Sequence, residues 1–94
     1  MKFRIEKSFA RDVDKIYDKR VLKKLRTIIS MFEKVETIYE IPHVKKMEGY
    51  NTYYRIKISD YRLGIEMIST KEAILVRFLH RKDIYKYFPR KKQK

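Results

Sequence analysis

The chain has 94 residues, the length of one domain, and its 44% hydrophobic content supports a packed core despite a charged fraction of 39%. Lysine and arginine number 25 against 12 acidic residues, a formal +13, which exceeds what solubility needs and points to a polyanionic partner. Nucleic acid comes first among these, ahead of an anionic membrane surface or an acidic protein. There is no cysteine, which excludes disulfides and thiolate metal sites, and His43 and His80 stand too far apart in sequence for a metal-ligand motif.

In chain order, "MKFRIEK" alternates Met1, Phe3 and Ile5 with Lys2, Arg4 and Glu6, the pattern of a strand with one buried face. The stretch "MKFRIEKSFARDVDK" lacks the apolar core of a signal peptide, and no run reaches membrane-spanning length, so a cytoplasmic protein is expected. Ser8 fits a helix N-cap, with Phe9, Val13, Ile16 and Tyr17 at helical spacing behind it. Asp18 interrupts that run and is placed to cap a second helix. There Val21, Leu22, Leu25, Ile28, Ile29, Phe32 and Val35 form an apolar stripe, with Lys23, Lys24 and Arg26 outside it. The short gap between the two runs predicts a helical hairpin.

Periodicity fades from Thr37 to Asn51, a connection punctuated by Pro42 and Gly49 and anchored by Ile38, Ile41 and Met47. Three strands follow. Tyr54, Ile56 and Ile58 alternate with Tyr53, Arg55 and Lys57, and Ser59-Asp60 makes a tight turn. Tyr61, Leu63, Ile65 and Met67 then alternate with Arg62, Gly64 and Glu66. The last strand sets Ile74, Val76, Phe78 and His80 against Leu75, Arg77 and Leu79. Asp83 is placed to cap a short helix, "DIYKYF", which Pro89 ends. The expected fold is therefore α+β in one domain, 1–94: an N-terminal strand, a helical hairpin, a three-stranded antiparallel meander and a short C-terminal helix, with 90–94 a mobile basic tail. Two helices cover one face of such a sheet and leave the other at least partly open.

Arg55 and Lys57 lie two apart and share a face, and Arg62 follows across a tight turn, on a side that depends on the register. Arg81 and Tyr85 come from the end of the last strand and the helix after it. Guanidinium, ammonium and phenol groups in one place suit the handling of a phosphate: guanidinium binds its oxygens bidentately and stabilises added negative charge during phosphodiester cleavage. RNA brings its own nucleophile, the 2′-hydroxyl, so no metal or other cofactor is needed. Singly, each residue has a plainer role, as a solvated strand face, a loop histidine at His43 or a packing tyrosine. The joint pattern is what points to chemistry.

"KKMEGYNTYYRIKISDYRLGIEM" followed by "FLHRKDIYKYF" resembles the RelE/ParE superfamily of bacterial toxin–antitoxin systems, in particular the RelE-type ribosome-dependent mRNA endonucleases. The order of elements agrees over nearly the whole chain, and the specific blocks lie in residues 44 to 87. The resemblance implies a metal-independent endoribonuclease that cleaves mRNA in the ribosomal A site by 2′-hydroxyl attack, leaving a 2′,3′-cyclic phosphate. Its site residues map onto Arg55, Lys57, Arg62, Arg81 and Tyr85, with Lys82 beside them for RNA binding. In those roles Arg62 and Arg81 stabilise the transition state, Lys57 binds phosphate or moves a proton, Tyr85 orients or deprotonates the 2′-hydroxyl, and Arg81 or His80 serves the leaving 5′-oxygen. One departure is Arg55, where the best-known pattern has lysine. Arginine stays charged, so it can hold phosphate but cannot act as a base. The resemblance also implies an acidic cognate antitoxin that blocks the site or displaces the last helix, and operator DNA binding through that antitoxin. Two other readings stand beside it: a ParE-like DNA gyrase inhibitor and a non-catalytic RNA- or ribosome-binding module.

Overall fold

The computed structural model describes residues 1–89; the basic tail expected over 90–94 lies outside them. The elements in order are β1 (Lys2–Ile5), α1 (Lys7–Asp14), α2 (Lys19–Phe32), a 3₁₀ turn (Ile38–Glu40), β2 (Val44–Lys46), β3 (Tyr53–Ile58), β4 (Tyr61–Ser69), β5 (Glu72–His80) and α3 (Ile84–Tyr87). The fold class is the expected α+β one, with one more strand. The segment read as an irregular connection contains β2, which pairs with β3 and makes a five-stranded sheet in the order β1-β5-β4-β3-β2. Among the described residues, only the β1–β5 pairing is parallel. No helix among the described residues is long and apolar enough to cross a membrane.

α1 and α2 pack on one face. Phe9, Val21, Leu25 and Phe32 meet Ile56, Ile58, Leu63, Ile65, Leu75 and Phe78 in a single buried cluster. Each large side chain so buried contributes about 1.5–3 kcal/mol. Asp18 caps α2 as expected, accepting from the backbone N–H of Arg20 at 2.9 Å and of Val21 at 3.4 Å. Ser8 does not cap α1. That helix starts at Lys7 after Glu6, and the Ser8 hydroxyl instead donates to the Val76 carbonyl at 2.6 Å. The reason lies at the sheet edge. β1 pairs with β5 only as far as Leu75, so the next backbone groups of β5 face α1. Ser8 and Asp12, one helical turn apart, satisfy two of them, Asp12 by accepting from the Phe78 N–H at 2.9 Å.

Strict alternation fails in β5. The register passes from Gly64↔Arg77 to Ile65↔Leu75, so Val76 has no partner, and the bulge brings Leu75 and Phe78 onto the same core face. Asp83 does precede α3, but its side chain makes no cap; it pairs with Lys86 at 3.6 Å.

The second face of the sheet is open except where the C-terminal segment crosses it. Ile84 and Phe88 there are 0% and 1% exposed. Phe88 sits on Gly64, where an added Cβ would fall 2.7 Å from its ring, and it meets Tyr53 edge-on at 5.5 Å between ring centroids. Gly64 is thus the floor on which α3 docks. Gly64→Ala is expected to unseat Phe88 and cost about 1–3 kcal/mol, a fall of several degrees in the thermal midpoint. An unchanged melting curve would show that the ring does not rest there.

Candidate functional site

The register settles the face of Arg62. It lies directly opposite Lys57, and Arg55 lies opposite Gly64, so Arg55, Lys57 and Arg62 all project from the open face. The turn that brings this about is Ser59-Asp60, with Ser59 at φ 56, the positive angle that two-residue hairpins need. β2 adds a residue that sequence reading missed. Lys45 pairs with Arg55 and so extends the basic row to the sheet edge. A segment of three residues, two of them lysines, carries no alternation, but its position one short loop before "YYRIKI" could have suggested a hairpin partner.

The Arg62 guanidinium is braced rather than neutralised. Its Nη1 donates to the carbonyls of Ser59 at 3.2 Å and Tyr61 at 3.0 Å. Among the described residues, no carboxylate forms an ion pair with Lys45, Arg55, Lys57 or Arg62. Unpaired cations on facing positions repel one another, and an anion placed between them relieves that cost. Arg81 reaches the same end of the hairpin: its backbone N–H donates to the Asp60 carbonyl at 2.7 Å, and its Nε stands 4.0 Å from Asp60 Oδ1. Both partners of that ion pair are exposed, so it holds Arg81 weakly and leaves it available.

His80 falls differently from the rest. It pairs with Tyr61, on the face opposite to Arg62, and its ring meets the Tyr61 ring at 5.6 Å. Its Nδ1 accepts the Lys82 backbone N–H at 3.1 Å, which puts the proton of the neutral ring on Nε2. His80 therefore shapes the turn that carries Arg81 and Lys82; the structure does not bring it onto the face of Lys57 and Arg62. Lys82 is exposed, and Tyr85 is 56% exposed on α3, one residue beyond the buried anchor Ile84.

α3 is tied to the rest of the molecule by a residue that alternation marks only as a plain strand position. Arg77 makes a bidentate pair with Asp12, Nε to Oδ2 at 2.8 Å and Nη2 to Oδ1 at 3.0 Å, and its guanidinium carbon lies 5.2 Å from the centre of the Tyr87 ring. The hydrogen bonds that Arg77 donates to Asp12 hold its pKa above the ordinary guanidinium value against the opposing effect of burial. The signal for this bridge was Asp12 itself, a carboxylate on the apolar stripe of Phe9, Val13 and Ile16. Among the described residues, no three His, Asp or Glu side chains gather as a metal site would require.

Set against known proteins, residues 3–85 match the family model described as the ParE toxin of the type II toxin–antitoxin system parDE. The chain is 36% identical over 90 residues to Toxin RelE3 of Methanocaldococcus jannaschii, covering 95% of this chain and 100% of that one. Among solved structures it is similar to the crystal structure of the RelB–RelE antitoxin–toxin complex from Methanococcus jannaschii, with a TM-score of 0.76 and 34% identity over 90% of this chain and 98% of that one. The archaeal RelE–RelB complex of Pyrococcus horikoshii OT3 shares the fold at a TM-score of 0.64 and 18% identity, covering 85% of this chain and 93% of that one.

Proposed function

The chain belongs to the ParE toxin family of type II toxin–antitoxin systems and is a RelE-like toxin, and from that we propose that it is a ribosome-dependent endoribonuclease cleaving mRNA in the A site. The observation that carries this reading is the cross-strand pair Lys57–Arg62, set on an open sheet face beside Arg55 with no carboxylate ion pair among the described residues. That arrangement receives a phosphodiester.

In the reaction, the 2′-oxygen attacks phosphorus, the bond from phosphorus to the 5′-oxygen breaks, and a 2′,3′-cyclic phosphate and a 5′-hydroxyl result. Arg62 and Arg81 hold the charge that builds on the nonbridging oxygens and on the departing 5′-oxygen. Lys57 binds a phosphate oxygen or, as its free amine, takes the 2′-hydroxyl proton; Tyr85 orients that hydroxyl or, as its phenolate, deprotonates it; and water supplies the proton that completes the 5′-hydroxyl. Arg55 and Lys82 hold flanking phosphates. His80 acts through the turn that positions Arg81, because its ring lies on the other face.

The relative from Methanococcus jannaschii is a toxin held by its RelB antitoxin, and a cognate antitoxin is proposed here too, acidic where it meets the basic face. It would silence the toxin by covering the Lys57–Arg62 pair or by lifting α3, and operator DNA would be bound through it. The family description names ParE, so inhibition of DNA gyrase is the competing reading. Tyr85→Phe separates them. It keeps the ring and removes the hydroxyl, so cleavage is expected to fall about 100- to 10,000-fold while ribosome binding is unchanged. Full cleavage by that variant would remove the tyrosine from the chemistry. Binding with no cleavage by the unaltered protein would favour the gyrase or binding-module reading.

A further inference from the structure

A second set of groups lies on the same open face, farther from Lys57 and Arg62. Tyr50 is 40% exposed and meets Tyr53 edge-on at 5.3 Å between ring centroids; Tyr53 in turn meets Phe88 at 5.5 Å. Tyr53 stands two residues before Arg55 and four before Lys57 on one strand face, about 13 Å from Lys57 at strand rise. Lys45 flanks this row across the β2–β3 ladder.

The loop that presents Tyr50 is built to hold it. The Tyr50 backbone N–H donates to the Met47 carbonyl at 3.2 Å, with Gly49 at φ +84, the glycine position of a type II turn. The Met47 N–H donates to the Tyr53 carbonyl and the Met67 N–H to the Thr52 carbonyl, each at 2.8 Å, which closes both ends of the loop. An exposed aromatic ring is thereby fixed at the end of a line of cations. A single strand of RNA has the matching alternation, with charged phosphates along its backbone and flat faces on its bases.

We infer that Tyr50 is a stacking platform for one nucleobase outside the scissile step, and that Lys45 holds a phosphate of the strand running toward it. This rests on the RNA reading of the open face and extends it to a subsite a few nucleotides from the Lys57–Arg62 pair. Stacking is tolerant of base identity, so the subsite adds affinity and fixes the strand's register without selecting a codon letter.

The test uses the isolated toxin and short single-stranded RNAs carrying 2-aminopurine at successive positions, whose fluorescence is quenched on stacking. One position is expected to be quenched by the unaltered protein and by Tyr50→Phe, and released in Tyr50→Ala, which binds about 5- to 100-fold more weakly. Lys45→Ala should keep the quenching and lower the slope of log affinity against log salt by about 0.7. Quenching at no position, or quenching unchanged in Tyr50→Ala, overturns the subsite. Cleavage on programmed ribosomes is scored separately with the same variants. If the subsite fails while the unaltered toxin still cuts, the nuclease reading stands. If the RNA stacks on Tyr50 but is never cut, the reverse holds.

Discussion

Replacing Arg62 with alanine is expected to lower the single-turnover rate of mRNA cleavage on programmed ribosomes about 100- to 1000-fold, the usual cost of losing one donor to a developing anion. The size follows from where the side chain stands. Arg62 faces Lys57 across the hairpin, and two backbone carbonyls brace one end of its guanidinium, so little reorganisation is needed when a phosphate arrives. Arg62→Lys should recover only part of the rate, because an ammonium supplies the charge without the planar fork. Stability should hardly move, since Arg62 forms no ion pair among the described residues and surface changes of this kind usually stay within about 0.5 kcal/mol. Quenched-flow cleavage and a thermal melt on the same preparations give both answers. A near-normal rate in Arg62→Ala would mean that the phosphate lies elsewhere.

Asp12→Ala should have the opposite profile, a loss of stability of about 3–5 kcal/mol. Asp12 is buried, its side chain only 5% exposed, and it serves three donors: Nε and Nη2 of Arg77 and the backbone N–H of Phe78. Alanine leaves a guanidinium only 24% exposed without its counter-ion and an edge N–H without an acceptor. In a domain of this size the thermal midpoint should fall by well over 10 °C. Adding Arg77→Met to Asp12→Ala should return part of the loss, because the stranded charge goes with it. The Arg77 pKa is raised, so its contribution is complete at neutral pH and is lost only as pH climbs through the elevated value. The effect should therefore be flat with pH on the alkaline side until strongly basic solution. If the single variant melts within a few degrees of the unaltered protein, the bridge is not a structural support. Arg77 also lies against the Tyr87 ring, so the same variant loosens the helix that carries Tyr85.

Much of this was legible because the strands are amphipathic. The alternation in Tyr53–Ile58 and Tyr61–Ser69 separates a core face from a basic one without reference to any structure, and Asp18 announces its helix. Three features were hidden for identifiable reasons. β2 is too short and too charged to show a period, so Lys45 was missed with it. The bulge at Val76 depends on the pairing of β4 with β5, which no local pattern in "EAILVRFLH" reveals, and it puts Leu75 rather than Val76 on the core face with Phe78. Ser8 has the chemistry of a cap but is claimed by an exposed strand edge that exists only once β1 has stopped short of Val76. For the site, spacing alone put Arg55 and Lys57 together, while the face of Arg62 and the displacement of His80 needed the register.

If the Lys57–Arg62 face receives mRNA on the ribosome, cleavage follows there. Primer extension on a defined mRNA, incubated with the purified toxin in a reconstituted translation reaction with and without ribosomes, tests it most directly. The expected result is a set of cuts at A-site codons that appear only with ribosomes. Intact mRNA under both conditions, or the same cuts without ribosomes, would contradict it.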